Sequence, residues 1–156
     1  ELDKPCGILT ADCLPILICS TKKKEIAAIH AGWRGLGSGI IKRALDMFES
    51  SNEDVIAYLG PAISSEVFEV GYEVREYFCD HAENLVEKNR IKAAFAKRGE
   101  NKLLADLYEL ARMDFELYGI SKIYGGNFCS YQDSELFYSY RRDGITGRNA
   151  SIIWLK

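Results

Sequence analysis

Cys13 and His30 are the pair of side chains best suited to chemistry. They stand in two short blocks, TADCLPILIC at 10–19 and AAIHAGWRG at 27–35. Each block is an apolar run that breaks into polar or glycine-rich residues, the pattern of a buried strand and its rim. A thiol and one of the chain's 2 histidines are thereby carried to the same edge of one sheet. A thiolate beside an imidazole either ligates a metal such as zinc or serves as an activated nucleophile. Asp12 places a carboxylate at the same rim, as an acid/base or as an orienter of His30.

Arg34 follows His30 closely, and its guanidinium suits phosphate or carboxylate. Gly32 and Gly35 permit close backbone approach. Gly37-Ser38-Gly39 leads into a helix whose free N–H groups could face an anion, or is simply a strand-to-helix turn. HAGWRGLGSG has neither the P-loop ending nor the spacing of a dinucleotide fingerprint. A second dense region is FYSYRRDGITGRNA at 137–150. Its arginines and tyrosines could stack a base and hold a phosphate, with Arg148 and Asn149 as substrate contacts, or form a hairpin with a basic tip. Cys129 is either a third thiol near the site or a buried structural one. Cys6, Cys19 and Cys79 read as structural, and His81, in CDHAEN, as a surface residue.

The elements that position these groups follow from patterning. Residues 7–20 read as one strand, with Pro15 marking an edge or a bend. Lys22-Lys23-Lys24 reads as a solvated turn, and residues 25–30 return as a second strand. Ile40, Ile41, Ala44, Leu45 and Phe48 trace a helix. Residues 54–59 are a strand ending at Gly60-Pro61, 70–79 a helix, and 82–101 charged and ambiguous. Asp106 caps a helix to Tyr118, with Leu107, Leu110, Ala111, Asp114, Leu117 and Tyr118 along one side and Gly119 as its stop. Strand candidates at 121–128, 136–141 and 150–155 finish the chain. The expected fold is α/β: a single domain of mixed sheets packed by helices, with hairpins at both ends.

Composition narrows the function classes. The 156 residues are 47% hydrophobic and 28% charged, enough for one domain with a core. A net charge of −3 gives no general attraction to nucleic acid or to an anionic membrane, and neither is expected as a partner. No apolar run reaches the roughly 20 residues that span a bilayer, and the first residues lack signal-peptide features. Five cysteines, an odd number without regular spacing, favour free thiols in a reducing cytoplasm.

The blocks TADCLPILIC, AAIHAGWRG, YLGPAIS and FYSYRRDGITGR, in that order, resemble the YfiH-type laccase-domain proteins. These are also called polyphenol oxidase or multicopper oxidase-like proteins and, later, purine nucleoside phosphorylases. The resemblance covers about Gly7 to Leu155. It implies an α/β fold distantly like toxin deamidases with a Cys-His site, that is, a cysteine-hydrolase-like fold. It implies a site of one cysteine and two histidines binding zinc, with copper for the oxidase activity. It implies phosphorolysis of adenosine, guanosine, inosine and methylthioadenosine, with phosphate as co-substrate and adenosine deamination alongside. The family's cysteine matches Cys13, and its second histidine matches His30. Its first histidine lies in an upstream block, roughly Gln-Val-His-Gly, that these 156 residues do not contain. The expectation is therefore one laccase-like domain over 1–156 without the family's N-terminal segment, in which Cys13 and His30 alone hold metal weakly or not at all. Two alternatives stay open: a Cys-His hydrolase with Cys13 as nucleophile, and a non-catalytic member with an incomplete metal site. A multi-copper laccase fits a chain with two histidines poorly.

Overall fold

The computed structural model describes residues 4–156. The region 7–20 is two strands, not one. β1 (Cys6–Thr10) and β2 (Leu14–Ser20) belong to different sheets. The apolar run is cut at residues 11–13, where Asp12 takes φ 94°, a left-handed conformation that Asp and Asn reach more easily than most side chains. This corrects the expected continuous strand.

Pro15 is not on an edge strand either. β2 is central, antiparallel to β3 (Ile26–Ala31) on one side and to β4 (Val55–Leu59) on the other. Proline is accommodated because it sits at the start of β2 and faces Gly60. The Gly60 N–H donates to the Pro15 carbonyl, and a Cβ on Gly60 would lie 2.8 Å from the proline ring. β8 (Ile123–Gly125) adds to β4 in parallel, giving the order β3-β2-β4-β8. The Lys22-Lys23-Lys24 turn is exposed, as patterning predicts.

Alternation on β2 sends Leu14, Ile16 and Ile18 into the core with no exposure. Each such buried aliphatic side chain contributes about 1.5–3 kcal/mol relative to exposure. They meet the apolar stripe of α5 (Leu107–Leu117) in one continuous core, where Ala111 and Phe115 are also fully buried. Asp106 caps α5 by accepting from the Glu109 N–H, and Gly119 leaves it at φ 74°. The glycine-rich stretch holds a short helix that patterning does not predict, α1 (Trp33–Gly37), and the helix expected from Ile40 is α2 (Ile40–Leu45), ending before Phe48; Gly39 turns left-handed between them. The ambiguous charged stretch contributes α4 (Leu85–Ala93) and β6 (Phe95–Arg98). β6 pairs with β7 (Lys102–Ala105), and β7 with the short β5 (Glu69–Val70), beside α3 (Tyr72–Asp80).

Residues 136–141 are not a strand. They form a loop and the single turn α6 (Tyr140–Asp143), and there is no C-terminal hairpin. Instead β9 (Asn149–Ile153) pairs antiparallel with β1, Cys6 opposite Ile153 and Thr10 opposite Asn149. The architecture is the mixed α/β arrangement that patterning predicts, with these local differences.

Candidate functional site

The β2–β3 register sets Leu14 opposite Ala31 and Pro15 opposite His30. Leu14 and Ala31 are buried on the core face, so Pro15 and His30 belong to the other face. Cys13 and Gly32 continue the register one step further, onto the face of His30. A Cβ on Gly32 would stand 3.1 Å from Cys13 Sγ, so the thiol lies against bare backbone at the β3–α1 junction. Cys13 and His30 therefore share a rim and a face, with His30 exposed and Cys13 half-buried. Burial, and secondarily the Asp12 carboxylate, push the Cys13 thiol above its ordinary pKa.

Asp12 is the junction of this rim. Its backbone carbonyl accepts from the Ile63 N–H. One carboxylate oxygen accepts from Ser130 Oγ at 2.7 Å and the other from the Arg141 N–H at 2.7 Å. Arg141 stands in the first turn of α6, whose N–H groups have no intrahelical acceptor, so the carboxylate there is favourable. Asp12 thus ties the strands to the loop after β8 and to α6. Both of its oxygens already accept a hydrogen bond, which suits a positioning role.

Arg34 is exposed on α1 and stacks on Trp33, its guanidinium carbon 4.2 Å from the ring centroid. Arg148 is exposed and folds onto the carbonyls of Thr146 and Gly147. Asn149 clamps Tyr138, accepting from its N–H and donating to its carbonyl. Cys13, His30 and Arg34 thus gather around the β3–α1 junction. Arg148 and Asn149 sit at the start of β9, brought near Asp12 by the pairing of Asn149 with Thr10. The rest of the basic block is structural. Arg142 donates to the carbonyls of Ser130, Tyr131 and Phe137 and pairs with Asp143. Cys129 is buried, its sulfur accepting from the Ser64 and Gln132 N–H groups. The glycine-led turn behaves as a strand-to-helix turn, with Arg43 donating to the Ser38 carbonyl across the start of α2.

Pattern reading missed three contributors. Ser130 is fully buried against Asp12. Tyr108, on α5, receives the Ala62 N–H and lies within hydrogen-bond distance of the carbonyls of Gly60 and Phe128, so it holds the loops after β4 and β8 together. Burial keeps its phenol protonated. Thr10 is 1% exposed, and its hydroxyl has no hydrogen-bond partner among the described residues. Ser130 and Tyr108 stand outside the blocks whose spacing signals chemistry, and Thr10 opens one of them without being singled out by it.

The donor set tests the metal that the resemblance implies. Cys13 and His30 offer one sulfur and one imidazole nitrogen, whereas a catalytic zinc takes three protein ligands. Among the described residues no group of three His, Cys, Asp or Glu side chains converges to hold a metal ion. The described residues therefore do not make up a complete metal site.

Fold and rim define an α/β domain with a thiol, an imidazole and a guanidinium at one end of a mixed sheet. The chain belongs to the family described as multi-copper polyphenol oxidoreductase laccase, whose model matches residues 2–156. It is 47% identical over 150 residues to the purine nucleoside phosphorylase YfiH of Shigella flexneri, covering 96% of this chain and 59% of that protein. Protein NMB0706 of Neisseria meningitidis superposes with a TM-score of 0.90 at 43% identity, covering 97% of this chain and 60% of that one. YfiH of Bacillus licheniformis superposes with a TM-score of 0.91 at 29% identity, covering 100% and 59%. The chain spans about three fifths of the length of these relatives. No helix among the described residues is long and apolar enough to cross a membrane.

Proposed function

We propose that this chain carries the catalytic rim of a cytoplasmic purine nucleoside phosphorylase acting on adenosine, guanosine, inosine or methylthioadenosine. In this reaction a phosphate oxygen bonds to the ribose anomeric carbon as the bond to the purine N9 breaks. The base leaves with a proton on nitrogen, and ribose 1-phosphate is formed. Arg34 has a free guanidinium edge above Trp33 and is the group to hold phosphate, with Arg148 as its counterpart from β9. His30 is the exposed group able to pass a proton to the departing base. Cys13 lies against Gly32 and shapes the floor beneath them. Asp12 and Asn149 position α6 and the loop that ends at Tyr138. Adenosine deamination, in which water adds at C6 and ammonia departs, is a second activity of the same rim. Zinc, or copper, would bind Cys13 and His30 together with a donor beyond the described residues, and no step above passes through it.

The observation that carries this reading is the meeting of Cys13 with the bare backbone of Gly32, on the face and rim where His30 and Arg34 are exposed. Its support from relatives is the name borne by the Shigella flexneri protein. A covalent acyl-enzyme on Cys13 is the weaker alternative, because burial and Asp12 both disfavour the thiolate. The test is inosine plus phosphate, with ribose 1-phosphate and hypoxanthine quantified. The full gene product, assayed with zinc and with copper, is expected to release both. Arg34→Ala is expected to raise the phosphate KM more than it lowers kcat. No turnover under any of these conditions would overturn the reading.

A further inference from the structure

The apolar stripe of α5 is interrupted by one carboxyl group, Asp114. It does not face bulk solvent as an acid on a helix normally does. It lines a half-open cavity of about 670 Å³ between the turn after α1, the end of α3, α4 and α5. Leu36, Phe78, Ile91, Leu110, Met113 and Leu117 make the apolar part of its wall. Pockets of this size with a few convergent polar groups are the usual form of small-molecule sites. The cavity is separate from the Cys13–His30 rim. α1 lies between them, presenting Arg34 to solvent and turning Leu36 and Gly37 inward.

Charge selects the ligand. Among the described residues Asp114 has no hydrogen-bond partner, although burial and the neighbouring Glu87 push its pKa up to about 7. Glu83 and Glu87 join it in the lining. The one lining arginine, Arg90 of α4, is drawn off to Glu116 at 2.6 Å. Lys42 of α2 is paired with Asp46 at 2.6 Å. Tyr118 and His81 complete the titratable groups that face the space, and His81 Nδ1 is turned to the Tyr77 carbonyl. An anion would meet carboxylates here, and an uncharged ligand would leave Asp114 unpaired. We propose that the cavity is a binding site for a small amphipathic cation: an organic amine whose apolar body fills the space and whose ammonium pairs with Asp114.

Phenethylamine and its uncharged counterpart phenethyl alcohol are the probes, titrated calorimetrically into the 156-residue chain, with backbone amide shifts locating the site. At pH 8 the amine is expected to bind at least about tenfold more tightly than the alcohol, as one well-placed ion pair allows. At pH 6 it is expected to bind about tenfold more weakly than at pH 8, as Asp114 takes up its proton. Asp114→Asn should abolish both the preference for the amine and its pH dependence. Leu117→Trp, at a half-exposed cavity wall, should fill the space and abolish binding of both probes while leaving the melting transition cooperative. Equal affinity for amine and alcohol, no binding of the amine, or shifts centred on the Cys13 rim would each overturn the proposal. A pH dependence persisting in Asp114→Asn would belong to another group of the lining and overturn the role given to Asp114. None of these readouts depends on phosphorolysis, so the proposal stands or falls apart from it.

Discussion

Asp12 at the rim and Asp114 at the cavity are both half-buried carboxyl groups, and the fold treats them in opposite ways. Asp12 is surrounded by donors: a serine hydroxyl and a helix-terminal N–H. Asp114 lines a cavity beside Glu87, and among the described residues no donor reaches its side chain. The first carboxylate is part of the fold's bonding and organises loops from distant parts of the chain. The second, once ionised, is a cost to the fold that a bound cation would offset. A buried acid with partners marks architecture, and one without partners marks a binding opportunity.

Substitutions can break this contrast from either side. The largest effect is expected behind the rim, at Gly125. It sits at φ 75°, and a Cβ there would lie 2.3 Å from the Leu59 carbonyl. Gly125→Ala should cost about 3 kcal/mol in urea unfolding, from strain and forced backbone movement together. Asp12→Ala comes next. It strands the buried Ser130 hydroxyl and the Arg141 N–H, and should cost about 2 kcal/mol. A loss under about 0.5 kcal/mol would show that the junction is not a structural one.

Asp114→Asn should act in the opposite direction. The folded-state pKa of Asp114 lies above its ordinary value of 3.8, so the unfolded chain releases the proton first as pH rises. Stability is therefore lost between about pH 4 and pH 7, and asparagine is spared that loss. The variant should match the parent near pH 3 and exceed it by about 2 kcal/mol at pH 8, allowing for solvent in the cavity. Thr10→Val is the smallest. It removes a buried hydroxyl that has no partner among the described residues and should stabilise by about 1 kcal/mol in thermal melts. A destabilisation would mean that the hydroxyl is satisfied in solution.

The same contrast explains what sequence could and could not reveal. The β2–β3 hairpin was readable because alternation and a lysine turn both point to it. α5 was readable from Asp106, its stripe and Gly119. The break at 11–13 was hidden because apolar residues continue across it and the bend is held by contacts with residues 63, 130 and 141. Residues 136–141 look strand-like from their aromatics, but the long-range bonds of Arg142 to three carbonyls fold them into a loop. The rim residues announced themselves as polar interruptions of apolar runs. Asp114 was the same kind of signal, a carboxylate inside a helical stripe, yet its meaning depends on α4 and the end of α3, which pattern alone does not bring to α5.

The pairing of β1 with β9 has a consequence in time. Cys6 meets Ile153 and Thr10 meets Asn149 across nearly the whole chain, so this ribbon is among the most costly contacts to close and belongs late in folding. On a ribosome, β1 must wait, with its outer backbone N–H and C=O groups unpaired, until β9 has emerged. Asp12 also waits for α6. A chain stalled before residue 140 would already hold its hairpin, its core helix and Cys13, and still lack the partner that shapes the bend beside that thiol.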